Sequence, residues 1–212
     1  MVKMTDKSSF KSKYNPLPRT FFSRKTVKVA RDILGKNLVR IIRRRILVAR
    51  IVEVEAYLGE HDPAAHASLG RTTRTEVLYG KPGHAYVFHL RGYNCLNAVA
   101  EPVGSPGCVL IRAAEPLEGL ELMRKFRAER WTKKEIADRE LANGPGKLCQ
   151  ALAIDMSLYG ADMTSSDSPL QICRDTVKEK FKIRVSRRIG ITKAAEWNLR
   201  FTIKGNKFLS KE

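Results

Sequence analysis

The sequence is short of acid: 22 Asp and Glu stand against 40 Lys and Arg in 212 residues, a net charge of +18 with histidines neutral. A folded chain so unbalanced carries a positive potential that concentrates polyanions. Nucleic acid is therefore the first expected partner and an anionic membrane surface the second. Long apolar runs are missing, and nothing approaches the roughly 20 residues of a spanning helix. An apolar N-terminal segment of the secretory kind is missing too, so a cytoplasmic, nucleoid-associated protein is expected. Cysteine is sparse: Cys95, Cys108, Cys149 and Cys173 include no Cys-x-x-Cys pair, which removes zinc knuckles and dithiol redox motifs. Neighbours such as Leu96, Val109 and Leu148 mark these cysteines as reduced core residues. There is no Gly-x-Ser-x-Gly elbow, internal repeat or low-complexity tract. Hydrophobic residues make up 43% of the chain, an ordinary share that excludes disorder for most of it. The length suits one domain.

Residues 1–19 are polar and basic, with Pro16 and Pro18. They are expected to form a loose or surface-draped arm ahead of a domain over 20–212. Val27, Ala30, Ile33 and Leu34 recur at helical spacing, with Ser23 as N-cap and Gly35 as stop, which predicts about three turns. Strands are predicted over 38–42 and 46–57, around Arg43-Arg44-Arg45 at a hairpin turn. Those arginines are either a solvated turn or a phosphate contact. Residues 58–83, rich in Gly and Pro, read as a long loop of the kind usually kept for function. A second hairpin joins strands 86–90 and 95–100 through Arg91-Gly92-Tyr93-Asn94. A strand over 109–114, helices over 117–129 and 148–153, and strands over 183–185 and 199–203 complete the pattern. The expected class is α+β, with helices on one side of a hairpin-rich sheet.

Strand alternation puts Glu53, Glu55 and Tyr57 on one face, opposite Val52, Val54 and Ala56. Carboxylates on an otherwise apolar strand either face solvent beside arginines or serve a site. His61, Asp62 and His66 have metal-ligand chemistry, but their spacing is not that of a zincin helix and Pro63 argues against a regular helix. No metal is expected. Asn143-Gly144-Pro145-Gly146-Lys147 lacks the spacing and the Ser/Thr of a nucleotide-binding loop. Gly146 and Lys147 are either a plain turn or a grip on one DNA phosphate.

The segments Ile51-Val52-Glu53-Val54-Glu55-Ala56-Tyr57-Leu58-Gly59, Asp62-Pro63-Ala64-Ala65-His66, Gly83-His84-Ala85-Tyr86-Val87-Phe88, Cys95-Leu96-Asn97, residues 109–119 and residues 143–152 together resemble the 3-methyladenine DNA glycosylases of the alkyladenine (methylpurine) type. The resemblance covers about residues 20–208. It implies a single mixed domain on a curved antiparallel sheet, with a protruding β-hairpin that enters DNA and no cofactor. It also implies a monomer that flips damaged purines out of double-stranded DNA. On this resemblance Glu55 is the general base for a water, while His66 and Arg112 line the water site. Tyr57, His66, Phe88 and Asn97 contact the base, with Phe88 where a Tyr is common. The hairpin is one residue shorter than the family's; Arg91 stands at the place of the intercalating Tyr, and Tyr93 is the favoured wedge. Two rival readings remain: a non-catalytic nucleic-acid-binding module, and a metal-dependent hydrolase using His61, Asp62 and His66.

Overall fold

The sheet is organised by its longest strand. In a computed structural model, which describes residues 13–129, 135–175 and 179–211, β1 (Asn37–Ile42) and β2 (Arg45–Tyr57) form the first hairpin. A second hairpin, β3 (Ala85–Leu90) and β4 (Tyr93–Ala100), is followed by β5 (Gly107–Glu118). The short strands β6 (Leu170–Cys173), β7 (Ile183–Ser186) and β8 (Arg200–Ile203) come last. The order is β3-β4-β5-β2-β1-β6, with β8 joining β2 and β7, and the strand pairs are antiparallel. One edge of β2 is shared: residues 45–50 pair with β1 and residues 53–55 with β8.

Period-two alternation sorts the side chains into two layers. Val52, Val54, Ala56, Val87, Leu96, Ala98, Val109, Ile111, Ala113 and Phe201 enter one buried cluster. The helices pack into the same cluster: α1 (Arg19–Phe22) through Phe22, α2 (Thr26–Asp32) through Val29 and Ala30, α3 (Leu120–Ala128) through Met123, α4 (Asp138–Leu141) through Leu141, and α5 (Pro145–Ala151) through Leu148 and Cys149. The opposite face belongs to a second cluster with Tyr86, Val99 and Cys108, covered by the 58–83 segment through Ala67, Val77, Leu78 and Tyr79. That segment contains three 3-10 turns, at Gly59–His61, His66–Leu69 and Glu76–Tyr79. All four cysteines are buried and unpaired.

Several boundaries differ from the sequence expectations, each for a local reason. Ser23 closes α1, its amide bonding Arg19 O, instead of opening α2. The cap of α2 comes from far along the chain: Glu101 Oε1 accepts from Thr26 N at 3.0 Å and Thr26 Oγ1 at 2.6 Å. The strand expected over 109–114 continues to Glu118, so the helix expected from 117 starts at Leu120. The second hairpin turns on only two residues, Arg91 (φ +48) and Gly92 (φ +83). Left-handed backbone at both positions matches the twist of the flanking strands. Tyr93 and Asn94 are therefore strand residues. The strand at Leu170–Cys173 is four residues long, too short for its Leu170-Gln171-Ile172 alternation to announce it.

Residues 1–12 of the expected arm lie outside the described residues. From Lys13 onward the chain is packed rather than draped: Tyr14 and Leu17 are buried. Pro16 bridges Cys173 and Leu17 N donates to Ile172 O at 2.8 Å. The segment thus covers the open edge of β6, whose backbone groups otherwise lack partners. Among the described residues no helix is long and apolar enough to cross a membrane.

Gly119 makes the corner between β5 and α3 with φ +81, and an added Cβ would run into the Leu47 side chain and lie 2.8 Å from Ile46 O. Gly119→Ala is expected to lower unfolding stability by more than about 1 kcal/mol, read as a lower urea midpoint at unchanged slope.

Candidate active site

The polar face of β2 is buried, not solvated: Glu53 and Glu55 are both 0% exposed. An ionised carboxylate survives there only if it is paired and hydrogen-bonded. The pairing comes from a register shift. Glu53 sits opposite Ala113 and Val54 opposite Ile111, which leaves Arg112 at the irregularity between them. Bulges re-aim side chains. Arg112 reaches both acids, with Nε 3.2 Å from Glu53 Oε1 and Nη1 3.4 Å from Glu55 Oε2.

The two acids are then treated differently. Glu53 is saturated: it also accepts from Arg200 Nε at 2.8 Å, Ser210 Oγ at 2.8 Å and Ser210 N at 2.6 Å. Glu55 accepts from Tyr57 Oη at 2.9 Å and from the backbone N–H of Ile189 at 2.7 Å. Desolvation still dominates, and it raises the Glu55 carboxyl above the ordinary carboxylate range against the pull of Arg112, the Ile189 amide and Tyr57. Burial likewise raises the Tyr57 hydroxyl, with the Glu55 charge adding to it, so Tyr57 is a donor and not a phenolate.

Tyr57, Arg112 and Ile189 are wall groups of a cavity of about 230 Å³, so Glu55 stands one layer behind that wall and bonds to all three. His66, Tyr86, Phe88, Leu90, Asn97 and Cys108 are further wall residues. His66 packs edge-on against Phe88 with centroids 4.5 Å apart. Its Nδ1 lies 2.7 Å from Tyr86 Oη, and its Nε2 lies 3.5 Å from the Arg74 guanidinium. Burial, helped by Arg74, pushes the imidazole down to about 4, so it is neutral at physiological pH. Asn97 is buried and donates to Tyr86 O at 3.1 Å, which fixes its amide in the wall.

The expected residues Glu55, Tyr57, His66, Phe88, Asn97 and Arg112 thus converge, each from the same face of its strand or from the covering loop. Asp62, considered above as a metal ligand, has both oxygens on Arg188, with Arg188 Nη2 2.8 Å from Asp62 Oδ1. The hairpin end stands beside the cavity. Leu90 lines it and is registered opposite Tyr93, and both are about half exposed. The Tyr93 side chain lies on Gly146, where an added Cβ would be 2.9 Å from the Tyr93 Cβ, Cγ and Cδ1 atoms. Gly146 is a packing seat for that ring. Lys147 Nζ donates to Asn143 Oδ1 at 2.9 Å. The turn at Arg43, Arg44 and Arg45 is outside the site, ten residues along β2 from Glu55, or about 33 Å at strand spacing.

Sequence reasoning missed Tyr86, Leu90, Arg74 and the Arg188–Ile189 pair. Tyr86 was within reach, since alternation puts it on the Phe88 face. Arg188 carried no local signal, because it acts through residues more than a hundred positions away.

Comparison with known proteins identifies the family of the chain. Residues 20–207 match the family described as methylpurine-DNA glycosylase. A protein of Methanocella arvoryzae is 49% identical over 185 residues, spanning 87% of this chain and 88% of its own length. One of Clostridium perfringens is 45% identical over 206 residues, spanning 92% of this chain and 99% of its own. Both are provisionally named 3-methyladenine DNA glycosylase. With the family match covering the β2 acids, the cavity wall and the closing strands, the chain belongs to the methylpurine-DNA glycosylase family, whose members are N-glycosyl hydrolases.

Proposed function

We propose that this enzyme extrudes an alkylated purine from duplex DNA into the cavity and hydrolyses its C1′–N9 bond, leaving an abasic site in an intact strand. The observation that carries the reading is Glu55, a fully buried carboxylate held against a cavity wall that contains aromatic rings, a guanidinium and, among the described residues, no lysine. A water admitted between Tyr57, Arg112 and Ile189, the wall groups that Glu55 bonds, loses a proton to Glu55 as its oxygen bonds C1′, and the C1′–N9 electron pair departs with the base. Arg112 touches Glu55 and borders the cavity, so it orients water and carboxylate together. A base whose pKa is raised toward neutrality is better matched to its task. Tyr57 and Phe88 offer ring faces to the base, and a cationic N-methyl purine gains electrostatic attraction from such faces. The neutral His66 packs at the same wall without adding a charge, and Asn97 crowds a guanine 2-amino group, which tempers without excluding excision of guanine adducts. Deaminated purines of similar shape fit the same description.

The positive surface grips the phosphates, with Arg91 at the hairpin tip, Lys147 beside it, and Arg43, Arg44 and Arg45 roughly one duplex turn away. Flipping leaves a gap in the stack, and an inserted side chain offsets part of the few kcal/mol lost. Tyr93, with Leu90 opposite it, fills that gap. The enzyme acts as a monomer, without metal or redox cofactor.

Incubation with duplexes carrying single lesions, followed by alkaline cleavage, tests the reaction. Glu55→Gln should lower single-turnover excision about 10²- to 10⁴-fold with lesion-duplex binding retained; near wild-type excision removes Glu55 from its role. A 7-methylguanine duplex already carries a charged leaving group, so its rate should show one acid limb, above the ordinary glutamate value of about 4.3. His66→Gln should leave that limb in place, because burial lowers the His66 imidazole while it raises the Glu55 carboxyl. Tyr93→Ala should weaken lesion-duplex binding and excision more than Arg91→Ala, whereas Arg91→Ala should reduce the salt slope by about one charge. A 2-aminopurine beside the lesion whose response survives Tyr93→Ala but not Arg91→Ala would reverse the assignment.

A further inference from the structure

The tightest buried contacts around Glu55 do not end at the residues that touch it. Ile189, whose N–H is 2.7 Å from Glu55 Oε1, follows an arginine whose side chain is 0% exposed. Arg188 forks onto both oxygens of Asp62 and donates from Nη1 to Ala56 O at 3.1 Å. Ala56 is the residue between Glu55 and Tyr57, so one guanidinium ties the 188–189 backbone directly to the strand that carries the base. The same group lies over the Tyr57 ring at 4.7 Å and near the Trp197 ring at 6.0 Å. Asp62 is itself fixed, accepting from Leu58 N at 3.1 Å and Ala64 N at 3.0 Å. A planar fork with two ion contacts, a carbonyl contact and two ring faces admits few alternative poses.

We propose that Arg188 is a positioning residue for hydrolysis: by clamping its own backbone to Ala56 and Asp62 it aims the Ile189 N–H at Glu55 Oε1 and holds the carboxylate ionised in its productive pose. The clamp acts on the proposed base and so rests on the functional reading above. Its logic is electrostatic. A hydrogen bond to the ionised form of a buried carboxylate favours that form, and an amide that drifts away leaves desolvation unopposed at Oε1. The other charged or titratable groups facing Glu55 are Glu53 and Tyr57 on β2, Arg112 on β5, Cys95 on β4 and Arg200 on β8, and none of them contacts Oε1. Asp62 on this account serves the site as the anchor of Arg188.

Two variants test the clamp without stranding a buried charge: Arg188→Lys, which keeps the charge but not the fork, and the double variant Asp62→Asn/Arg188→Met, which removes both charges. In single turnover on a 7-methylguanine duplex, both should lower the neutral-pH rate about tenfold and move the acid limb up by about one pH unit, a tenfold gain in proton affinity. Lesion-duplex Kd should stay within about threefold, so the loss falls on chemistry. The Glu55 carboxyl, followed by 13C NMR in the free protein, should titrate higher by the same amount. An unmoved carboxyl titration in both folded variants overturns the proposal, whether or not the rate falls. Because that titration needs no turnover, it decides the clamp even if the wild type releases no base, a result that would sink the functional reading alone.

Discussion

Two carboxylates buried on one face of one strand impose the demand that the rest of the site answers. Each ion taken out of water costs several kcal/mol even after relaxation, and Glu53 and Glu55 are two residues apart with no exposed surface. The chain meets the demand with a guanidinium from an irregularity in β5, a second from β8, a backbone amide from 188–189 and a serine from 208–211. Elements remote in sequence are drawn to one strand because the strand's charges have no other source of compensation. The opposite face of the same strands is an ordinary apolar core, and that core keeps β2 rigid enough for the compensation to be geometric.

The two acids do not share this compensation equally, and the asymmetry has chemical meaning. Glu53 accepts from Arg112, Arg200 and both donors of Ser210, so it orients two arginines. Glu55 accepts one hydroxyl, one amide and a long contact from Arg112. Its carboxyl is therefore raised while its neighbour serves as scaffold, and two identical side chains two positions apart acquire different work from their surroundings alone. The same desolvation that raises Glu55 keeps His66 uncharged, and Arg112 is a cationic lining residue of that cavity.

The core of the sheet was legible because alternation is a local property. The faces of β2 and β4 follow from residues 52–57 and 95–100 read in order, and the resemblance named Glu55, His66 and Arg112 from the segments at 51–59, 62–66 and 109–119. What stayed hidden was non-local or backbone-determined. Glu101 caps a helix 75 residues earlier, so Ser23 took the part on local evidence. A two-residue turn required left-handed backbone at Arg91, a conformation a non-glycine residue seldom adopts, and a four-residue tip was read in its place. Strand β6 has only four residues, too few for the alternation of Leu170, Gln171 and Ile172 to stand out. Arg188 was invisible because its meaning depends on Asp62, 126 positions away.

The hook between Glu53 and Ser210 spans 157 positions, the Glu55 amide contact 134 and the Asp62 fork 126. Loop closure over such distances must precede any reward from the contacts it brings about. A nascent chain can build both hairpins and most of the apolar layer while its acids still lack their distant partners, and those contacts form only when residues 188–210 have been made and docked. A cut between 187 and 210 would on the same grounds spare much of the sheet and release the contacts to Glu53, Glu55 and Asp62, so the integrity of that late segment is a quantity separate from the melting of the fold.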